Sequence, residues 1–121
     1  MKNFKGTLST ANDGVDFAIL IEKSFIYKWE GRTRLDEIIG VKLDIALQNK
    51  RLAQLGVKFD ADPIPNVSDE MIEHALIACK PLYVQIPDCV VNFYSTAGNS
   101  DINMSATAKT ARIITLKNNE N

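Results

Sequence analysis

Ile39, Val41, Leu43 and Ile45 alternate with Gly40, Lys42, Asp44 and Ala46. A period of two turns every second side chain toward a core and the others toward water, so the stretch predicts a half-buried β-strand. Such a strand needs hydrogen-bonding neighbours at its edges and an apolar layer over one face. Upstream, Phe17, Ile19, Ile21, Phe25, Tyr27 and Trp29 share one parity, while Ala18, Leu20 and Ile26 take the other. Apolar residues on both parities predict a strand covered on both faces or a β-bulge, placed near Glu22 to Ser24. Glu30-Gly31-Arg32-Thr33 breaks this run, and the next strand is expected from Ile39.

Gln48-Asn49-Lys50-Arg51 reads as a hairpin connection to a third strand carrying Leu52, Leu55, Val57 and Phe59. Pro63 and Pro65 mark a loop. Ser68 is a good helix N-cap, and Asp69 and Glu70 suit the positive end of the helix dipole. Ile72, Ala75, Leu76 and Cys79 follow the spacing of one helical face, which places Cys79 in the core. Lys80-Pro81 ends the helix. Leu82, Val84 and Ile86 begin another extended stretch, Pro87-Asp88 interrupts it, and Val90 to Tyr94 resume it. Residues 96–101 read as a loop around Gly98. A last strand holds Ala106, Ala108, Ala111, Ile113 and Ile114. Phe4 to Ser9 is an additional N-terminal strand, followed by a turn at Asp13-Gly14.

The order is therefore strand, strand, strand, helix, strand, strand. It predicts a mainly β fold with one helix: a five-stranded Greek-key barrel of the OB type, with its helix between strands three and four. Other small α+β folds share the order. One domain is expected over residues 1–121, its core about 4–116 and a short flexible tail at 117–121. A hydrophobic fraction of 45% and a charged fraction of 24% exclude a disordered chain. No apolar run approaches the ~20 residues that span a bilayer, and the N-terminal residues lack the apolar core of a secretory signal.

Little catalytic equipment is visible. Cys79 and Cys89 lack metal-pair spacing, and His74 is the only histidine, expected on a solvated helix face. The glycines are dispersed and form no phosphate-cradling loop. The carboxylate pairs Asp36-Glu37 and Asp60/Asp62 read as ordinary loop groups. A non-enzymatic binding protein without metal or cofactor is expected, with reduced cysteines and a cytoplasmic location.

With 14 basic and 15 acidic residues the net charge is −1, which excludes binding of nucleic acid by overall charge but not by a local basic surface. Single-stranded nucleic acid needs aromatic platforms beside basic groups. Tyr27 and Trp29 end one strand with Lys28 between them. Arg32 and Arg34 follow in the expected loop, Lys42 lies on the next strand, and Lys50 and Arg51 occupy the next hairpin. These eight residues form the candidate surface for single-stranded DNA. Phe25 is expected in the core. Tyr27 and Trp29 fit either core packing or base stacking. The stretch "CVVNFYS", with apolar residues on both faces, is a candidate self-association edge, because unpaired edges invite pairing.

The segments "YKWEGRTRLDEIIGVKLDI", "KPLYVQIP" and "INMSATAKTARIITL" resemble the small single-stranded-DNA-binding proteins of phages infecting lactic-acid bacteria. More distantly they are similar to the helicase-processivity proteins of conjugative elements. The resemblance covers about residues 17–116. It implies an OB fold, a homo-oligomer (dimer or tetramer) and sequence-tolerant binding of single-stranded DNA in phage replication and recombination. Its setting would be the host cytoplasm, and its partners replication or recombination proteins. Many bacterial proteins of this activity end in a long acidic tail. Here the sequence ends "LKNNEN", with Glu120 its only acid, so recruitment of enzymes through such a tail is not expected. A small phage assembly protein, an enzyme subunit or an RNA-binding OB domain are the other readings.

Overall fold

The computed structural model describes residues 3–94 and 103–115. The expected loop at 96–101 and the expected tail at 117–121 lie outside them. Among the described residues eight strands form: β1 (Asn3–Gly6), β2 (Phe17–Glu30), β3 (Thr33–Leu47), β4 (Ala53–Phe59), β5 (Tyr83–Gln85), β6 (Val90–Tyr94), β7 (Asn103–Ala108) and β8 (Arg112–Ile114). The helices are α1 (Leu8–Ala11) and α2 (Asp69–Ile77). The strand expected over Phe4 to Ser9 ends at Gly6, because Thr7 and Thr10 cap the short α1 reciprocally.

All eight strands join one sheet, in the order β1-β6-β7-β4-β3-β2-β5-β8. Strands β2, β3 and β4 make an antiparallel meander, and β4 pairs in parallel with β7. β5 flanks β2 and β6 flanks β7, yet only residues 86–89 separate them in the chain. In a flat sheet those two strands would lie about 24 Å apart, five spacings of roughly 4.8 Å. The connection, from Gln85 to Val90, reaches at most about 18 Å at ~3.5 Å per residue, so the sheet must curl. The fold is thus mainly β with a single long helix. More strands form than the sequence pattern separates. Pro87-Asp88 divides one extended stretch, and the turn at Lys109 and Thr110, whose amide N–H groups donate to the Asp88 carboxylate, divides the last.

Leu20, Leu43, Ile45, Leu47, Leu55 and Val57 are fully buried, joined by Val84, Ile86 and Val91. Each such side chain contributes about 1.5–3 kcal/mol of burial free energy. Helix α2 adds Ile72, also fully buried. Its first turn is capped as the sequence suggests, with Ser68 Oγ accepting from the Met71 N–H at 3.2 Å. Its other end departs from expectation. Lys80 N–H donates to Ala75 O and Cys79 N–H to Leu76 O, the two bonds of a Schellman motif. Cys79 is therefore the left-handed residue beyond the cap, with φ 58°, and it leaves the helical face for solvent. Leu52 likewise leaves the third strand. It has φ 61° in the turn after Arg51 and is exposed.

Lys23 is the buried charge of the core, 7% exposed. Its ammonium donates to Asp62 Oδ2 at 2.7 Å, to Ile64 O at 3.1 Å and to Val67 O at 2.9 Å. Its backbone N–H donates to Asp69 Oδ1 at 2.8 Å. One residue of β2 thereby holds the loop before α2 and the helix's first turn. Asp62, an ordinary loop carboxylate by its sequence, is the counterion.

Register shifts redirect β2 and β3. Ile21 is the extra residue between the pairs Leu20↔Ile45 and Glu22↔Asp44, close to the expected bulge. Ile39 is the extra residue on β3 between Ile26↔Gly40 and Tyr27↔Ile38. Gly40 sits beside this second bulge because β4 passes too close for a side chain: a Cβ there would lie 2.6 Å from Phe59 O. Gly40→Ala is expected to cost about 1–3 kcal/mol through overpacking, read as a lowered urea midpoint at unchanged slope.

Beyond the second bulge β2 and β3 leave the core as a two-stranded arm, and from Phe25, just before it, to Ile39 no residue is buried. The arm corrects two expectations. Phe25 is 46% exposed rather than in the core. The loop expected up to Ile39 is a two-residue turn, Gly31-Arg32, with Glu30 paired to Thr33. Gly31 has φ 62°, as the first central position of a type II′ hairpin turn requires. Thr33 to Glu37 therefore belong to a strand, and Arg34 with them. A third correction concerns "CVVNFYS". Its expected open edge is absent, because β6 lies between β1 and β7 and is paired on both sides.

Candidate nucleic-acid interface

Residues paired directly across antiparallel strands share a face. Tyr27 opposes Ile38 and Trp29 opposes Arg34, and a further register shift lies between these pairs, with two more residues on β3 than on β2, which leaves the parity of both strands unchanged. Phe25, Tyr27, Trp29, Arg34 and Ile38 therefore lie on one face of the arm. The Arg34 guanidinium stacks over the Tyr27 ring at 4.3 Å from its centroid. Trp29 is 61% exposed at the distal end of this face. Lys28 and Arg32 are exposed within three residues of it, with Arg32 in the turn itself. The arm thus presents an indole, an Arg-covered phenol and two further cations. Five of the eight expected residues lie on the arm: Tyr27, Trp29 and Arg34 on this face, Lys28 on the other by strand alternation, and Arg32 in the turn.

The other three are elsewhere. Lys42 is on the opposite face of the β2–β3 ribbon from Tyr27, paired with Ser24. Its ammonium lies 3.5 Å from Asp44 Oδ1, and its stem folds over Gly56. Lys50 and Arg51 lie at the far end of β3, fifteen strand residues from the turn at Gly31-Arg32. Lys50 is bound to Asp13 Oδ1 at 3.0 Å, and Arg51 takes the left-handed conformation (φ 56°) that reverses the chain. A barrel with both hairpins at one end would bring these cations together with the aromatics. A strand of this length puts them at opposite ends.

The opposite side of the arm base holds a groove of about 740 Å³. Ile26, Ile39, Phe59, Val90 and Ala108 form its apolar surface. Lys58 and Lys109 stand on its rim and were not foreseen, being lone lysines in separate strand segments. Asp60 and Asp88 complete the rim.

Among the described residues no group of three or more His, Cys, Asp or Glu side chains is arranged to hold a metal ion. Burial, reinforced by the neighbouring Asp88 carboxylate, pushes the Cys89 thiol up to about 12, so it is un-ionised at neutral pH and a poor nucleophile. His74 is exposed on α2. Among the described residues no helix is long and apolar enough to cross a membrane. No protein-family model matches the chain, and no curated protein or solved structure is significantly similar to it.

Proposed function

We propose that this protein binds single-stranded DNA with little sequence preference, using the aromatic face of the β2–β3 arm, and that its curled sheet is a barrel of the OB type. Support for the barrel comes from the β2–β3–β4 meander, the parallel β4–β7 pair and the helix lying between β4 and β5. The observation that carries the binding reading is the exposed row of Trp29, Tyr27 and Arg34, with Lys28 and Arg32 beside it. Unpaired bases offer π faces that stack on indole, phenol and guanidinium planes, while the cations meet the phosphates. An isolated hairpin is marginally stable in water, so an arm with exposed aromatics is costly to keep unless it meets a ligand. The resemblance to phage single-stranded-DNA-binding proteins sets this activity in replication and recombination, where the protein would shield or organise displaced strands.

Trp29 is the only tryptophan, so its fluorescence reads the arm directly. Titration with oligo(dT) is expected to change the emission, with a site of about 4–16 nucleotides per fold and tighter binding than to duplex of equal length. Affinity should fall with salt by about 0.7 log units per phosphate contact for each tenfold rise. Equal affinity for single and double strands across the salt series would overturn the proposal. Tighter binding to an RNA oligomer than to DNA would reassign the ligand.

A further inference from the structure

The aromatic face of the arm begins beside the acidic end of α2. Lys23 and Phe25 lie two residues apart on β2 with no register shift between them, so they share a face. The Lys23 ammonium stands 5.8 Å from the centre of the Phe25 ring and holds Asp62 and the Ile64 and Val67 carbonyls. The Lys23 N–H holds Asp69, in the first turn of α2. Tyr27 and Trp29 follow on the same face about 13 and 20 Å beyond Lys23, at ~3.3 Å per residue. Residues 60–79 carry Asp60, Asp62, Asp69, Glu70 and Glu73 but no lysine or arginine. Lys23 engages Asp62 and Asp69. Glu70 and Glu73 are exposed, and among the described residues neither has an ion-pair partner. The arm thus rises from an acidic root to a tip that carries Arg32 and Arg34.

We infer that Glu70 and Glu73 determine the specificity of the arm: they repel a duplex from the aromatic face and leave a single strand its access. This role rests on the proposed binding of single-stranded DNA. Two properties separate the ligands. A duplex carries one charge per ~1.7 Å of its axis, twice the density of one of its strands, and stays straight over about 150 base pairs. Laid along the arm on Tyr27 and Trp29, it cannot turn away from the root, and its phosphates come within about a Debye length, ~8–10 Å, of α2. A single strand bends freely beyond its stacked bases and leaves over the tip, where Arg32 meets its phosphates. The two glutamates therefore act on the ligand that the aromatic residues alone do not reject.

Anisotropy titrations of the full chain against labelled oligo(dT) and a labelled duplex of equal length, at low and high salt, test this role. Glu70→Gln with Glu73→Gln is expected to tighten duplex binding at low salt by about three- to tenfold and to move oligo(dT) affinity by less than about twofold. The gain should vanish at 1 M salt, where the Debye length is ~3 Å. Both sites are exposed, so the melting temperature should match the wild type. Glu22→Gln is the control. It removes a charge from the residue next to Lys23, on the opposite face of β2, and should leave the ratio of the two affinities unchanged. Duplex binding that Glu70→Gln with Glu73→Gln leaves unmoved, or that Glu22→Gln tightens as much, overturns this role and leaves the single-strand reading standing. A wild-type protein that binds oligo(dT) no better than duplex overturns that reading, and this role with it.

Discussion

Lys23→Met is expected to destabilise the protein by about 3–5 kcal/mol, the cost of breaking a buried ion pair by removing one partner. The lysine ammonium uses three donors, on Asp62 Oδ2, Ile64 O and Val67 O. Methionine fills a similar volume but donates to none of them. Two carbonyl groups and a carboxylate would then be left short of a partner, Ile64 O in a buried site, with the Asp62 side chain 27% exposed and partly open to water. Asp62 keeps one bond, from the Ile64 N–H at 3.0 Å, so the loop would loosen rather than vanish. The tie from the Lys23 N–H to Asp69 also survives, because it uses backbone. Urea unfolding would read the global loss. Hydrogen exchange would read its location, with the Ile64 and Val67 amides of the loop before α2 losing protection first, since the lost side-chain bonds fasten that loop to β2. A loss below about 1 kcal/mol, with the protection of this loop unchanged, would mean that Ile72 packing and the Asp69 tie hold the region without the lysine ammonium.

The same residue shows what a sequence can and cannot tell. Local signals were legible. Ser68 caps α2, Pro87 breaks an extended stretch, and Ile39 to Ala46 form a strand whose odd residues from Val41 onward are buried. Each of these depends on neighbours a few residues away. Lys23 depends on partners 39 to 46 residues away, and nothing near it marks them. Its one trace is a change of phase: Ala18 and Leu20 point inward, the bulge at Ile21 shifts the alternation, and Lys23 becomes the inward residue. The aromatic row was legible for a similar reason, because β2 has no bulge between Phe25 and Trp29. Its surroundings were not. Phe25 reads as core by composition, yet it stands at the core's margin, opposite the buried Val41 and itself 46% exposed. Thr33 to Glu37 lack apolar alternation because both faces of the arm are wet; the pairs Glu30↔Thr33, Trp29↔Arg34 and Tyr27↔Ile38, which a pattern of side chains does not display, bracket them within the strand. The two-residue Gly31-Arg32 connection was the available clue, since a Gly-x pair between extended segments is a hairpin signal.

Trp29→Ala is expected to weaken single-stranded DNA binding by about 1–3 kcal/mol for each base stacked, roughly 5–150-fold, with the salt slope unchanged. Fluorescence is lost with the tryptophan, so binding would be followed by anisotropy of a labelled oligomer. The fold should survive, because Trp29 is 61% exposed on an arm that stands clear of the core; its melting temperature should stay within a few degrees. Removing charge acts differently. Arg32→Ala together with Arg34→Ala should flatten the salt slope by about 0.7 for each phosphate that loses its cation. Arg34→Ala also uncovers the Tyr27 ring, so its loss in affinity at high salt should exceed that of Arg32→Ala. Arg34→Lys separates the two roles: a lysine keeps the charge but gives up the flat guanidinium, so the slope should hold while affinity falls. Lys50→Ala with Arg51→Ala supplies the control. Those residues lie at the opposite end of β3, where Lys50 is already paired with Asp13, and their loss should leave both affinity and slope as they were. If that pair instead matched the arm variants, the DNA would have to run the length of β3, and the arm would be one contact among several. If Trp29→Ala bound as well as the wild type, the aromatic face would have another ligand.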